Sequence, residues 1–338
     1  MMLFPLRSWR GLWRSGLLCG ICLAPSSVAA QAVNMEVVGV IAGPADIVRV
    51  NGSFAYVAAG PSLTVFDIGN PAAPARRGLV TLPEAIIGMA LSGSRAYVAN
   101  GLHGLAIVDL ANPDAPTLAG SIKTPGEALR VAVTGTKALV VNRLSGVEVI
   151  DVSNPARPVS VGSHYTEGYA RDIAVADALG FVVDSSTDLA IIDVSTATPT
   201  ALSTQESGVP PGIVAVPQPA PASGPRTVYI LGGGVLQVYD VSNPASPRKG
   251  ATAKIAGGVQ AVAFQGSLGH VASGANGLQI VDVSDPAKPS IVGSYKTAGA
   301  ARDVAIAGPL ILVAVQAGKA GSNATGASQA GVYILRQR

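Results

Sequence analysis

The sequence predicts an all-β, seven-bladed β-propeller, and three observations support this prediction. A unit of 42 residues recurs along the chain, each copy contains four short segments rich in β-branched residues, and turn residues separate these segments. Repeats of this length with four strands each are typical of propeller blades. We expect four-stranded antiparallel blades in one ring that is closed by an amino-terminal strand.

A tetrapeptide that ends in aspartate marks the same point of each copy. Six such aspartates follow one another at steps of 42 residues, except for one step of 47: Asp67, Asp109, Asp151, Asp193, Asp240 and Asp282. The seventh copy ends in Arg336, 54 residues after the last of them. The two longer steps contain insertions of biased composition at 217–225 and 316–330, and such stretches indicate loops.

The third copy shows the four predicted strands most clearly. We place them at 128–133, 138–141, 147–152 and 159–164. A Ser-Asn-Pro turn separates the last two, because proline fixes φ and lacks an N–H donor. Residues 37–42 match the fourth strand of other copies, whereas the chain ends in a third strand at 333–336. The amino-terminal strand should therefore complete the last blade and leave no open sheet edge.

The first thirty residues differ from the rest of the chain. Three arginines and an apolar run at 16–24 precede a group of small residues, which is the layout of a cleaved secretory signal peptide. The run is shorter than the roughly 20 apolar residues that span a bilayer, which disfavours a membrane anchor. Lipidation of Cys19 or Cys22 is a further alternative, but a large residue precedes each of them. We expect residues 1–30 to be the signal and residues 31–338 to form one exported domain, either periplasmic or secreted to the cell surface.

Removal of this signal changes what the composition implies. Both cysteines and both tryptophans lie within it, so the mature chain would contain no disulfide and no thiolate ligand. The three arginines also account for the excess of 23 basic over 20 acidic residues. A balanced mature chain gives no support to a nucleic-acid partner, and no second apolar stretch predicts a transmembrane segment.

The repeat also carries a family resemblance. Ala-Tyr-Val-Ala stands at 96–99, and stretches close to Leu-x-Ile-Val-Asp-Val-Ser-Asn-Pro stand at 105–113, 147–155 and 278–286. These motifs resemble those of the LVIVD-repeat family of bacterial and archaeal surface or secreted proteins, over nearly the whole mature chain. The resemblance implies a β-propeller at the cell surface or in the periplasm, and it implies no defined activity. The sequence departs from the motif at 196–197, at 232–235 and at Arg336.

The repeated aspartates are interpreted as structural. Each stands directly before a turn whose amides, and often a serine hydroxyl, can donate to its carboxylate. They occur once per blade and should lie far apart around the ring, so they cannot converge on one substrate.

The sequence predicts no catalytic centre, metal site or cofactor. His103, His164 and His270 fall in different elements and lack metal-ligand spacing. Nothing resembles a nucleophile elbow, although a Ser-His-Asp triad forms in space and is not tested by spacing. The absence of tryptophan from the mature chain disfavours a quinone-dependent dehydrogenase.

Candidate binding residues come from the loops expected around one mouth of the central channel, because rigid scaffolds usually carry binding sites on loops. The connections between an outer strand and the next inner strand contribute Glu84, Glu127, Arg130, Tyr165, Glu167, Tyr169, Arg171, Asp172, Arg302 and Asp303. The loops between second and third strands contribute Asn100, His103, Asn142, Arg143, Asp184 and Asp188. The alternative is a solvated rim in which arginines and carboxylates only pair locally.

The sequence therefore favours an exported, non-enzymatic propeller that binds a protein, peptide or glycan at the channel mouth. An exported hydrolase or lyase acting at the same mouth is the first alternative, since propellers host many functions. A structural role in a surface assembly is the second, and Asn323-Ala324-Thr325 would be a glycosylation acceptor only in a eukaryotic secretory route.

Overall fold

The computed structural model describes residues 34–186, 189–196, 198–206, 208, 210, 212–217, 226–317 and 330–338. The expected signal peptide, Asp188, the glycosylation-type sequence at 323–325 and most of both insertions lie outside the described residues. All described strands belong to one compact unit, residues 32–338.

The described residues form seven four-stranded antiparallel sheets, each of them one blade. Blades 1 to 3 comprise β2 (Ile47–Asn51), β3 (Phe54–Ala59), β4 (Ser62–Asp67) and β5 (Ala75–Thr81); β6 (Gly88–Ser92), β7 (Arg95–Ala99), β8 (Leu105–Asp109) and β9 (Thr117–Ile122); β10 (Ala128–Thr134), β11 (Lys137–Asn142), β12 (Gly146–Asp151) and β13 (Val159–His164). Blades 4 and 5 comprise β14 (Ala170–Ala176), β15 (Leu179–Asp184), β16 (Leu189–Asp193) and β17 (Thr200–Gln205); β18 (Ile213–Ala215), β19 (Thr227–Gly232), β20 (Val235–Asp240) and β21 (Arg248–Lys254). Blades 6 and 7 comprise β22 (Ala261–Gln265), β23 (Leu268–Ala272), β24 (Leu278–Asp282) and β25 (Ser290–Tyr295); β26 (Ala300–Ala307), β27 (Leu310–Gln316), β28 (Gly331–Gln337) and β1 (Met35–Ala42).

The ring closes in blade 7, where β1 is the outer strand. It pairs with β28 in antiparallel register, from Met35 opposite Gln337 to Ala42 opposite Gly331. The first and last strands of the described chain thus share one sheet. This pairing confirms the seven-bladed fold and the predicted closure by the amino-terminal strand.

The core lies between the blades, because each sheet packs on a neighbour through both of its faces. The second and third strands are therefore apolar on both faces: five of the six residues of β11 and of β12 are buried. One apolar layer joins Tyr97 and Ile107 of blade 2 to Val140 and Ile150 of blade 3. The outer strand β13 has no such neighbour beyond it, and none of its six residues is fully buried.

The turn after each third strand is built by its aspartate. The Oδ1 atom accepts a hydrogen bond of 2.7–2.9 Å from the amide two residues later, in Asp67, Asp109, Asp151, Asp193, Asp240 and Asp282. The amide and hydroxyl of Ser153 hold the pKa of Asp151 below its usual range. These carboxylates stabilise six turns on the side of the ring opposite the loops described below.

A glycine in the outer strand allows neighbouring blades to approach closely. The register places Gly120 of β9 opposite Ile107, and a Cβ atom there would overlap the carbonyl oxygen of Pro155 in the next blade. Blade 4 carries Ser203 at the same register position, and its hydroxyl donates to the Pro244 carbonyl at 2.7 Å. The close contact between neighbouring blades thus requires a small residue at this position of the outer strand.

Candidate functional site

The loops predicted around the channel mouth lie on one face of the ring, which we call the mouth face. It is formed by the connections that lead into each inner strand and by the loops between second and third strands. Main-chain hydrogen bonds of 3.1 Å join the two kinds of loop, from Arg143 N to Glu127 O and from Ser185 N to Tyr169 O. The predicted candidates from both loop types are therefore neighbours in space.

A cavity of about 700 Å³ opens at the start of the inner strands, in the centre of the ring. Its polar side chains are Asp46, Arg49, Arg130, Asp172, Gln260, Arg302 and Asp303. Aliphatic side chains such as Ile87, Met89 and Ile213 form the rest of the wall. This volume and mixture are typical of a pocket that holds part of a ligand.

One register position of the inner strands supplies most of the charge. The pairing of inner with second strands aligns the following residues of blades 1 to 7: Ile47, Gly88, Arg130, Asp172, Ile213, Ala261 and Asp303. The position is apolar in four blades and charged in blades 3, 4 and 7. The charge of the cavity is thus concentrated on two sides of the ring.

Two of these residues connect their blade to the next one. Asp303 Oδ2 accepts from the amide of Val48 in blade 1 at 2.9 Å, and Asp172 Oδ2 accepts from the amide of Val214 in blade 5 at 3.0 Å. Val48 and Val214 occupy the same register position of their strands. The two aspartates therefore make equivalent bonds across two seams between blades.

The arginines of the cavity continue this polar connection. Arg49 Nη1 lies 2.5 Å from Asp303 Oδ2, and Arg49 Nε donates to the carbonyl of Met89 at 2.9 Å. Arg130 Nη1 donates to the carbonyl of Ile87 at 2.8 Å, while its Nε lies 3.7 Å from Asp172 Oδ1. Both guanidinium groups are thus held by main-chain carbonyls of blade 2 as well as by a carboxylate.

Burial perturbs one carboxyl group of the cavity. Only 13% of the Asp172 side chain is exposed, and this desolvation raises its pKa, although Arg130 and the amides of Val214 and Ile173 act in the opposite direction. Burial of Asp172 therefore outweighs the compensation that Arg130 and the two amides provide.

A β-bulge begins the inner strand in blades 3, 4 and 7. The extra residues are Leu129, Arg171 and Arg302, each of which lies between two paired residues of its strand. Bulges change the direction of a side chain relative to the sheet. Arg302 lines the cavity, whereas Arg171 is exposed and lies outside it.

Four other charged candidates form two pairs on the rim of the mouth face. Arg143 Nη1 lies 3.1 Å from Glu127 Oε2, and His103 Nδ1 lies 3.2 Å from Glu84 Oε1. All of these side chains are at least one-third exposed except Glu127, at 32%. Such exposed pairs contribute at most about 1 kcal/mol.

Apolar side chains accompany these pairs over blades 2 to 4. Leu102 and Leu144 occupy corresponding loops of blades 2 and 3 and are 68% and 65% exposed. Tyr165 and Tyr169, in the loop that enters blade 4, are 70% and 53% exposed. Glu167 between them is also exposed. We call Leu102, Leu144, Tyr165 and Tyr169 the rim cluster.

Three predicted candidates besides Asp303 are buried. Asn100 Nδ2 donates to the carbonyls of Glu84 and Ala85, and Asp184 accepts from the amide of Ser186 at 2.6 Å. Asn142 occupies the position of Asn100 in blade 3 and has no exposed surface. These residues shape the loops of the mouth face and do not present side chains to a ligand.

Comparison with known proteins agrees with this architecture. The LVIVD repeat matches residues 42–81, 88–124, 125–166, 167–205, 228–249 and 256–297. The chain belongs to the LVIVD repeat family.

Solved structures resemble this LVIVD propeller in fold. The β-propeller domain of Cps50 (Swd1) from Myceliophteria thermophila has 12% identity and a TM-score of 0.70, over 90% of this chain and 99% of that one. The computationally designed Ika8 protein has 9% identity and a TM-score of 0.61, over 90% of this chain and 100% of its own. Likeness at this identity shows the fold alone. No curated protein matches the sequence.

Sequence reasoning missed Arg49, Asp46 and Gln260 in the cavity of the LVIVD propeller. Arg49 lies inside the inner strand of blade 1, where an alternating strand gives no sign that this residue faces a channel. Asp46 and Gln260 directly precede their inner strands, and this position could have identified them. Among the described residues, no group of three or more potential metal ligands is present. The part of the chain that the structure describes contains no helix long and apolar enough to cross a membrane.

Proposed function

We propose that this LVIVD propeller is an exported, non-enzymatic protein that binds a partner protein or peptide on its mouth face. The observation that supports this proposal most strongly is a cavity of about 700 Å³ on the same face as the rim cluster. Binding energy at protein interfaces concentrates on a few residues, among which tyrosine is enriched, and Tyr165 and Tyr169 belong to this cluster.

The distribution of exposed apolar side chains supports this choice of face. Ten large hydrophobic side chains are exposed among the described residues. Those in loops are the four members of the rim cluster, and the remaining six lie on outer strands: Val37, Val40, Leu79, Leu118, Val159 and Ile291. The turns on the opposite face use their polar groups internally. The mouth face thus offers both anchors and a pocket.

Export is part of the proposal and rests on the amino-terminal sequence. Expression of the full chain in a bacterial host, followed by fractionation and mass determination, tests it. A periplasmic product that begins near residue 31 is expected, whereas an uncleaved cytoplasmic product would contradict export.

Capture from an envelope extract tests the binding face. The double variant Y165A/Y169A should reduce capture of the partner at least tenfold, because loss of an anchor typically costs more than about 1 kcal/mol. The matched control is L118A/V159A, which removes two similarly exposed side chains from outer strands. Equal capture by both double variants and the unaltered protein would contradict this face.

A hydrolase or lyase is the second candidate, and the raised pKa of Asp172 in the cavity favours it. A carboxyl group with a raised pKa is a candidate general acid. Turnover of a chromogenic ester or glycoside that is lost in D172N would replace the binding proposal with this one.

A further inference from the structure

Arg302 differs from the other two arginines of the cavity. Arg49 and Arg130 each lie near a carboxylate and donate to main-chain carbonyls. Arg302 is exposed, and its Nη1 donates to the amide oxygen of Gln260 at 3.1 Å. No carboxylate of the described residues lies within 4.0 Å of it. Its positive charge is therefore uncompensated at the cavity.

The carboxylates of the cavity are already engaged by the protein. Asp46 accepts from the amide of Gly60 and from Gln316, while Asp303 accepts from an amide and from Arg49. Asp172 accepts from the amide of Val214, and burial disfavours its charged form. Each cavity carboxylate thus already accepts hydrogen bonds from protein donors, whereas Arg302 is the cavity arginine without a carboxylate partner among the described residues.

Gln260 holds this guanidinium without neutralising it. The Nε2 atom of Gln260 lies 3.4 Å from the carbonyl of Gly258 and 3.3 Å from that of Val259. These bonds direct the amide oxygen toward Arg302. A neutral acceptor orients the guanidinium and leaves its other N–H groups for a ligand.

The rest of the cavity indicates which kind of molecule would carry an anionic group to Arg302. Its volume far exceeds that of a small ion, and much of its wall is aliphatic, including Ile86, Met89 and Ile213. None of the described lining residues is aromatic, so the cavity lacks the stacking platform typical of sugar sites. An aliphatic peptide segment with a carboxylate fits this mixture better than a glycan does.

We propose that Arg302, oriented by Gln260, recognises a carboxylate of an acidic peptide segment inserted into the cavity. This inference rests on the proposed function and specifies the chemistry of the partner. A planar guanidinium suits the purpose because it can donate two parallel hydrogen bonds to a carboxylate.

Fluorescence anisotropy with two labelled peptides tests the proposal. One peptide alternates glutamate and leucine, and the other carries glutamine in place of glutamate. The glutamate peptide should bind more tightly, with an affinity that falls as salt is added. R302Q should weaken its binding about tenfold or more and leave the glutamine peptide unaffected. R302K keeps the positive charge but cannot donate two parallel hydrogen bonds to one carboxylate. Its affinity for the glutamate peptide should therefore lie between those of R302Q and the unaltered protein.

R157Q is the control, because Arg157 is an exposed arginine in the turn between β12 and β13, on the side of the ring opposite the mouth face. It should bind the glutamate peptide like the unaltered protein. Equal binding of both peptides, or equal losses in R302Q and R157Q, would overturn the inference. Binding of an oligogalacturonate that depends on Arg302, without binding of the peptide, would overturn the peptide assignment. If R302Q still captures the native partner fully while Y165A/Y169A does not, the proposed function stands and this inference fails.

Discussion

Replacement of the buried His270 by leucine should remove part of the acid sensitivity of the fold. His270 lies in β23, opposite Ala263 and Ile280, and has no exposed surface. Its register position holds an aromatic or leucine side chain in the other blades, namely Tyr56, Tyr97, Leu139, Phe181, Tyr229 and Leu312. Leucine is therefore a residue that this position already accepts.

The magnitude follows from the pKa of His270. Burial lowers it from 6.5 to about 4, and main-chain groups of Ala263 and Leu268 offset only part of this effect. Because the folded state binds the proton less well than the unfolded state does, stability is full above pH 6.5 and declines as the pH falls toward 4. A difference of this size corresponds to about 3 kcal/mol. For a domain of about 300 residues, that is a change in Tm of about 5 °C.

Thermal unfolding between pH 7 and pH 4 measures the effect. The carboxylates titrate in both proteins, so the difference between the two curves isolates His270. The unaltered protein should lose about 5 °C more than H270L over this range. H103N, which alters an exposed histidine, should follow the unaltered protein. Parallel curves for H270L and the unaltered protein would refute the argument.

Two further predictions concern contacts between blades. G120A should lower the free energy of unfolding by about 2 kcal/mol or more, because the new Cβ would overlap the Pro155 carbonyl and lie 3.0 Å from Ala156 Cα. A251G should change it by far less; Ala251 directly precedes Thr252 in blade 5, as Gly120 precedes the equivalent Ser121 in blade 2. Equal effects of the two variants in urea unfolding would contradict the close approach. D303A should lower the free energy of unfolding by about 2–3 kcal/mol and D172A by about 1 kcal/mol. The reason is that D303A removes the partner of both Val48 N and Arg49, whereas Arg130 lies 3.7 Å from Asp172. The same urea titration measures both variants, and the reverse order would contradict the role given to Asp303.

The fold was predictable from the sequence because the repeat encodes it locally. The aspartate and the Asn-Pro turn recur once per blade, and the strand at residues 37–42 could pair only with the open edge of the last copy. The family was likewise visible in the stretches at 105–113 and 147–155. Because the same local pattern recurs in every copy, few alternative strand orders are compatible with the sequence.

The site was less predictable because it depends on which way a few side chains point. Arg302 and Arg171 occupy the same bulge position, yet one lines the cavity and the other does not. Asn100 has the composition of a loop residue, but it is buried beneath Glu84. Arg49 looks like a solvated strand residue until the ring brings it to Asp303. Non-local packing decides each of these cases.

Hydrogen–deuterium exchange of the propeller with its captured partner tests the central claim most directly. Partner binding should protect the loops that precede the inner strands, especially 165–169 and 258–260, together with the start of β26. The turns that follow Asp109, Asp151 and Asp240 should exchange as in the free protein. Protection confined to those turns or to the outer strands would contradict binding at the mouth face.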